Sequence, residues 1–318
     1  MVVEITFMST CLILGGNGFI GSQIAKILVE NGYSVKILSD LKSGTSNLEP
    51  ILDKIEITKG NFLDREIRKK VIKDVEFIFH NISTTNPQNS ILNPVYDVES
   101  NVIGTIGLLQ DLINTDVRKI IFTSSGGTVY GEPSKVPISE DEPTNPICPY
   151  GISKLAIEKY IQYFNYVYGL DYTIFRYSNP YGEGQDLSKG QGVIPAFLSN
   201  IAKGKPPVIY GDGSIVRDYV YIKDVVDVNL IAISRKIKSE HHIFNVGSGT
   251  GTSLNELIHT ISDVIGNPIT PEYVNVRKGD VSRIVLDITR IKKEYAWEPR
   301  TSLAEGIRNT WNWVKKIT

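Results

Sequence analysis

Tyr150 and Lys154 stand four residues apart in the run Tyr150-Gly151-Ile152-Ser153-Lys154. On a helix that spacing puts a phenol and an ammonium on one face. A cation beside a phenol favours the phenolate and draws its pKa down from ~10. Such a tyrosine takes a proton from a substrate hydroxyl, or returns one in reverse. Alone, the pair is common on exposed helix turns, so its meaning rests on its surroundings. Upstream, Phe122-Thr123-Ser124-Ser125-Gly126-Gly127 offers hydroxyls able to orient a substrate hydroxyl against Tyr150. A plain turn describes Gly126-Gly127 well and the doubled serine less well.

A second constellation binds rather than reacts. Gly15-Gly16-Asn17-Gly18-Phe19-Ile20-Gly21 contains G-x-G-x-x-G through Gly16, Gly18 and Gly21. It follows an apolar strand and opens a helix, the context in which backbone N–H groups and the helix dipole receive a pyrophosphate. A dinucleotide with a plain ribose calls for an acid at the end of the second strand. That position holds Ser39, with Asp40 one residue later and Lys42 beyond it. Asp40 favours NAD, while a 2′-phosphate on Ser39 and Lys42 keeps NADP open. At the end of the third strand, in Gly60-Asn61-Phe62-Leu63-Asp64, a carboxylate can accept from an adenine amino group. Asp64 is equally suited to capping the helix that follows, and both roles are compatible.

The elements that must position these residues follow an α/β alternation, the pattern of a doubly wound parallel sheet (Rossmann). Strands are expected at Cys11–Leu14, Val35–Leu38, Ile55–Lys59, Phe77–His80, Ile120–Thr123 and Tyr172–Arg176, with helices over Ile20–Asn31, Arg65–Ile72, Val98–Ile113 and Gly151–Val167. After Tyr177 the texture changes. Glycine and proline punctuate shorter elements: helices over Ile194–Ala202, Val225–Ser234, Asn255–Ile265 and Leu303–Ile317, with strands at Val208–Tyr210, Val216–Tyr221 and His242–Val246. The expected organisation is a dinucleotide-binding domain over 1–177. A smaller, interleaved C-terminal substrate lobe follows over 178–318, with segments near 216–246 returning to the first domain.

Composition narrows the function classes. In 318 residues the formal net charge is -1, so no field favours nucleic acid or an anionic membrane surface. Two cysteines, Cys11 and Cys148, make neither a disulfide framework nor metal-ligand spacing. Cys11 reads as core, and Cys148 adjoins Pro149-Tyr150. No apolar run approaches the ~18 residues of a membrane span, and no basic leader followed by an apolar stretch is present. A cytoplasmic protein without a metal is expected. The residues before Met8 read as a frayed extension.

Taken together, the glycine loop, Ser124-Ser125 and Tyr150-x-x-x-Lys154 resemble the extended short-chain dehydrogenase/reductase superfamily. Within it, the chain is similar to the UDP-glucose 4-epimerases and related nucleotide-sugar enzymes, from Cys11 to Trp313. The resemblance implies that Ser125 is the catalytic hydroxyl. One extra residue before Val129-Tyr130-Gly131 leaves Thr128 as a competitor. It implies that Asn101 supports the cofactor side, that His80 lies where the fourth strand meets the cofactor, and that Tyr177 precedes the nicotinamide wall. For the substrate it implies Asn179 and Val193, Tyr210 near the base, and Arg217 and Arg277 clamping the diphosphate. Bidentate guanidinium suits pyrophosphate better than lysine does. Ile284 stands where many hexose epimerases carry a gatekeeping tyrosine. Gly126-Gly127 replaces the Asp-Glu pair of the dehydratases.

The activity so implied is 4-epimerisation of a nucleotide-diphosphate hexose, with Tyr150 abstracting the proton. Keto reduction with NADPH and non-catalytic dinucleotide sensing are the alternatives. A homodimer through Val98–Ile113 and Gly151–Val167 is also expected, because Leu108, Leu109, Leu112 and Ile113 are too many for one buried stripe.

Overall fold

In the computed structural model, residues 8–187, 192–235, 240–276 and 281–318 are described. Strands β1 (Met8–Leu14), β2 (Tyr33–Ser39), β3 (Ile55–Lys59), β4 (Phe77–His80), β5 (Lys119–Ser125) and β6 (Asp171–Tyr177) alternate with helices. These are α1 (Phe19–Glu30), α2 (Arg65–Val71), α3 (Pro94–Asp97), α4 (Gly104–Asp111) and α5 (Pro149–Tyr168). There follow β7 (Asn179–Tyr181), α6 (Val193–Ala202), β8 (Val208–Tyr210), β9 (Val216–Tyr221) and α7 (Ile222–Ser234). The chain continues through β10 (Ile243–Val246), β11 (Gly251–Ser253), α8 (Leu254–Ile265), β12 (Glu272–Val274), β13 (Arg283–Ile284), α9 (Thr289–Tyr295) and α10 (Leu303–Ile317).

The main sheet has seven strands in the order β10-β6-β5-β4-β1-β2-β3. Pairing is parallel between β1 and β2, β1 and β4, β2 and β3, and β4 and β5. This is the doubly wound α/β sheet that the alternation predicts. Strands covered on both faces should be apolar throughout, and every residue of β4 is buried.

By internal contacts the chain divides into two compact units. The first comprises Met1–Ser124, Cys148–Phe175 and Asn229–His242. The second comprises Ser125–Ile147, Arg176–Val228 and Ile243–Thr318. Inside the second, β9 is the spine of a smaller sheet: β11 and β13 flank it in the order β11-β9-β13, and β7 also pairs with it.

One expected helix takes a different form. The segment predicted as helical over Val98–Ile113 begins at Pro94, passes through a π-helical stretch at Val98–Ile103 and ends as α4. Side chains compete there for the backbone carbonyls. Ser100 Oγ donates to Tyr96 O at 2.5 Å, Asn101 Nδ2 to Asp97 O at 3.0 Å and Thr105 Oγ1 to Asn101 O at 2.6 Å. Such back-bonding loosens the regular ladder. Helix α9 and the 3-10 turn over Ser46–Lys54 are additional to the elements expected. No helix among the described residues is long and apolar enough to cross a membrane.

Candidate active site

The first unit carries the glycine loop. Gly15 follows β1 with φ +76°, a conformation that disfavours a side chain, and its N–H donates to Leu38 O at 2.9 Å. A Cβ on Gly21 would come within 2.5 Å of Gly15 O, so α1 packs directly on the loop. Gly18 caps α1 without a side-chain bond, and no acidic residue occupies the first turn, which includes Phe19 and Ile20. The helix terminus therefore presents backbone donors and no competing carboxylate, as a pyrophosphate requires. Gly16 completes the tight approach, because a Cβ there would meet Ile37 at 2.8 Å. The residues fit a dinucleotide.

At the end of β2, Ser39 is 6% exposed. Its hydroxyl donates to Asn17 Oδ1 at 2.5 Å and accepts from Leu41 N at 3.0 Å. Asn17 in turn donates to Gly44 O at 3.0 Å. Ser39 is thus a brace between two loops. Asp40 has the more accessible carboxylate, with half its side-chain surface exposed, and it pairs with Lys42 at 3.1 Å. Asp64 caps α2, accepting from Glu66 N at 2.9 Å and Ile67 N at 3.4 Å, and Leu63 beside it is 42% exposed.

His80 and Asn101 are internal supports. His80 is 1% exposed, packed edge-on between Phe62 and Phe122, with Nε2 2.8 Å from Thr105 Oγ1. Burial and the charge of Lys154 push its pKa down to about 3. Asn101 accepts from Thr84 N at 3.0 Å and donates to Thr85 Oγ1 at 3.2 Å, tying the loop after β4 to the π-helical turn.

Pro149 opens α5, and Tyr150 N donates to Ser90 Oγ at 3.2 Å. One turn later the Lys154 ammonium donates to Thr123 O at 2.7 Å. It lies 4.8 Å from the Phe122 ring centroid and 5.6 Å from that of Tyr150. The lowering expected from the neighbouring cation is not the dominant effect on Tyr150 in this structure. Burial dominates and raises Tyr150 to about 12, against a lowering hydrogen bond with Ser83. Burial also brings Lys154 down to about 8, opposed by the Asp97 and Glu158 carboxylates. Lys154 therefore stays mostly charged at pH 7 and loses its proton as pH rises through about 8.

Ser124 is 2% exposed, and its hydroxyl donates to Glu158 Oε1 at 2.5 Å. Asp97, 0% exposed, accepts from the hydroxyls of Ser153 and Thr85 and binds α5 to the π-helical turn. Ser83, Asp97 and Glu158 all escaped the sequence reading. They lie far along the chain from their partners, so no local spacing announces them.

The second unit holds the remaining candidates. Ser125, partly exposed, opens a turn in which Val129 N donates to its carbonyl at 3.0 Å. Thr128 Oγ1 is shut from solvent without a hydrogen-bond partner. Tyr177 is 2% exposed, and its carbonyl accepts from Gly126 N at 2.8 Å. Asn179 lies opposite Tyr219 in the β7–β9 pair and donates to Asp218 O at 3.0 Å. Arg217 lies next to Asp218 on β9, partly exposed, with Nη1 donating to Val216 O at 2.9 Å. Ile284 on β13 faces Arg217 in register and is 1% exposed. The small sheet thus gathers Asn179, Arg217 and Ile284. Val193 begins α6 and Tyr210 ends β8. Arg277 lies outside the described residues, as do residues 1–7.

Residues 11–247 match the NAD dependent epimerase/dehydratase family. The UDP-glucose 4-epimerase of Mycolicibacterium smegmatis is 38% identical over 303 residues, covering 94% of this chain and 96% of that one. The structure of the Thermotoga maritima UDP-glucose 4-epimerase with UDP-glucose superposes with a TM-score of 0.91 at 38% identity, covering 97% of this chain and 99% of that one. The Thermus thermophilus UDP-glucose 4-epimerase complex with NAD superposes at 0.88 with 31% identity, covering 97% and 100%.

Proposed function

The chain belongs to the NAD dependent epimerase/dehydratase family, and on that footing we propose that it inverts carbon 4 of the hexose in a nucleoside-diphosphate sugar of the UDP-glucose/UDP-galactose kind. It is an NAD-dependent epimerase. The observation that carries the finer reading is the seat of Tyr150, partly exposed at the head of α5 with the Lys154 ammonium 5.6 Å from its ring. Tyr150 takes the proton of the 4-hydroxyl, and Ser125 orients that hydroxyl.

NAD, when bound, would supply a reversible hydride acceptor for carbon 4. Gly15, Gly16, Asn17, Gly18 and Gly21 would hold its pyrophosphate, Asp40 its ribose, and Leu63 with Asp64 its adenine. Arg217 and Arg277 keep the diphosphate still while the 4-keto sugar turns over, and Tyr150 then returns the proton. The first unit is in this reading the cofactor half and the second the nucleotide-sugar half. The chain works as a homodimer.

An NADPH-dependent keto reductase is less well supported, because the Ser39 hydroxyl is committed to Asn17. Purified protein settles the choice. The expected result is retained oxidised NAD and interconversion of UDP-glucose and UDP-galactose, followed by chromatography beside GDP- and dTDP-sugars. Consumption of added NADPH with a 4-keto sugar, without epimer formation, would overturn the proposal. So would bound cofactor with no turnover of any sugar in the panel.

A further inference from the structure

Arg68, in the middle of α2, is only 6% exposed. Its Nε pairs with Asp111 Oδ2 at 2.9 Å, and Asp111, itself 1% exposed at the side chain, also accepts from Arg65 Nε at 3.0 Å. Arg68 Nη1 donates to two successive carbonyls, Phe62 O and Leu63 O, each at 2.9 Å. Helix α4 supplies the room as well as the carboxylate, since a Cβ on Gly107 would stand 2.8 Å from Arg68 Nη2.

Burying an ion pair is poor evidence of a need for stability, because well-packed apolar side chains of similar volume often serve as well or better. A planar guanidinium does what an apolar side chain cannot: it holds several acceptors in a fixed relation. Here those acceptors are the backbone at the end of β3. The same backbone carries Leu63, 42% exposed, directly before the α2 cap Asp64. The segment is pressed from the other side by α4, where a Cβ on Gly104 would meet Phe62 Cε1 at 2.8 Å and Leu63 Cδ2 at 2.9 Å. The Phe62 ring in turn lies 5.4 Å from His80, which touches Phe122 beneath the catalytic lysine.

We propose that Arg68 is a positioning residue for the adenosine end of the cofactor site, fixing through the Phe62 and Leu63 carbonyls the wall on which the adenine ring lies. This rests on the reading that Leu63 and Asp64 flank the adenine. Asp111 and Gly107 complete the device, one by orienting the guanidinium and the other by leaving space for it.

The test uses full-length protein freed of cofactor and reloaded, with affinities for NAD, ADP and nicotinamide mononucleotide measured by calorimetry or competition. Arg68→Met should weaken NAD and ADP about tenfold or more, the scale of a lost charged hydrogen bond, and leave nicotinamide mononucleotide unchanged. Arg68→Lys, which keeps the charge and part of the bonding, should fall between. Leu63→Asp tests the underlying reading and should also weaken NAD and ADP. If Leu63→Asp has that effect while Arg68→Met binds NAD normally, the positioning role is overturned. Unchanged affinities in Leu63→Asp would overturn the placement of the adenine beneath it. Equal weakening of all three ligands in Arg68→Met would mean general loosening and would also overturn the role. Should Arg68→Met fail to fold, Gly107→Ala, whose Cβ would press on the guanidinium at Nη2 and Cζ, carries the same expectation and the same overturning results.

Discussion

The Lys154 ammonium and the Thr123 carbonyl are joined by a 2.7 Å hydrogen bond between α5 and the end of β5. That bond places a cation over Phe122 and near Tyr150, in surroundings that bring Lys154 down to about 8. The charge beside Tyr150 is therefore conditional, and the buried carboxylates of Asp97 and Glu158 favour it.

A pH profile follows from this. Lys154 is charged below about 8 and loses its proton as pH rises through that value, so turnover should fall on that basic limb. Glu158→Gln removes one of the two carboxylates that raise the lysine and should move the limb to lower pH, by about one pH unit on the scale of nearby buried charges. It should also free the Ser124 hydroxyl from its carboxylate partner. Steady-state rates across pH in both proteins check the expectation, and an unmoved limb would refute it.

Tyr150→Phe should lower kcat by ~10²–10⁴, the usual range for a lost general acid–base, with retained NAD unchanged. The ring and its place on α5 remain, and only the proton carrier is lost. Wild-type turnover in this variant would end the proposed chemistry.

The cofactor preference should respond to Asp40 rather than Ser39. Asp40→Ala removes the accessible carboxylate at the end of β2 and releases Lys42. It should cut the preference for NAD over NADP about tenfold, the worth of one charge-assisted bond. Ser39→Asp should instead disturb the loop, because a carboxylate cannot donate to Asn17 Oδ1 as the hydroxyl does. Titration with both dinucleotides distinguishes the two sites.

The leucines on which the expected dimer was based are not at the surface. Leu108, Leu109 and Leu112 are buried in the first unit, at 0%, 0% and 5% exposure. The apolar surface lies instead at Val98, Ile103, Ile152 and Tyr163, all more than two-fifths exposed. The proposed homodimer would use these residues. Sedimentation equilibrium should give a dimer, and Ile103→Glu should yield monomer at micromolar protein.

These results also show what was legible before the structure. The glycine loop and the Tyr150–Lys154 pair are local patterns, each contained in a few residues, and each could be read with its element. The bond that holds Ser124 could not be read, because its partner Glu158 lies 34 residues away. Asp97 reaches Ser153 across 56 residues and Arg68 reaches Asp111 across 43. A buried charge is recognisable only by partners that folding supplies. The π-helical turn at Val98–Ile103 was hidden for a different reason: its apolar spacing resembles an ordinary helix, and the Ser100, Asn101 and Thr105 bonds that distort it each reach back only four residues.

The diphosphate clamp gives the most demanding expectation. Arg217 stands on β9 between its cross-strand neighbours Thr252 and Ile284, with part of its guanidinium fixed on the Val216 carbonyl. It adjoins Asp218, whose carboxylate accepts from Ser248 N at 2.7 Å and Leu286 N at 3.2 Å, so the strand beneath the arginine is held from several sides. Arg217→Ala should therefore leave the melting temperature almost unchanged while raising KM roughly ten- to a hundredfold, the range for charged hydrogen bonds. Arg277→Ala should do the same, and the double variant should cost less than the sum, because both residues grip one anionic group. Epimerisation adds a stricter requirement. The sugar must turn while its diphosphate stays anchored, so a loosened clamp should let 4-keto sugar escape and leave reduced cofactor behind. Absorbance of reduced nicotinamide should accumulate during turnover in both variants and not in the parent protein. Normal KM and no such absorbance in Arg217→Ala would place the diphosphate away from β9 and remove the basis for assigning the small sheet to the substrate.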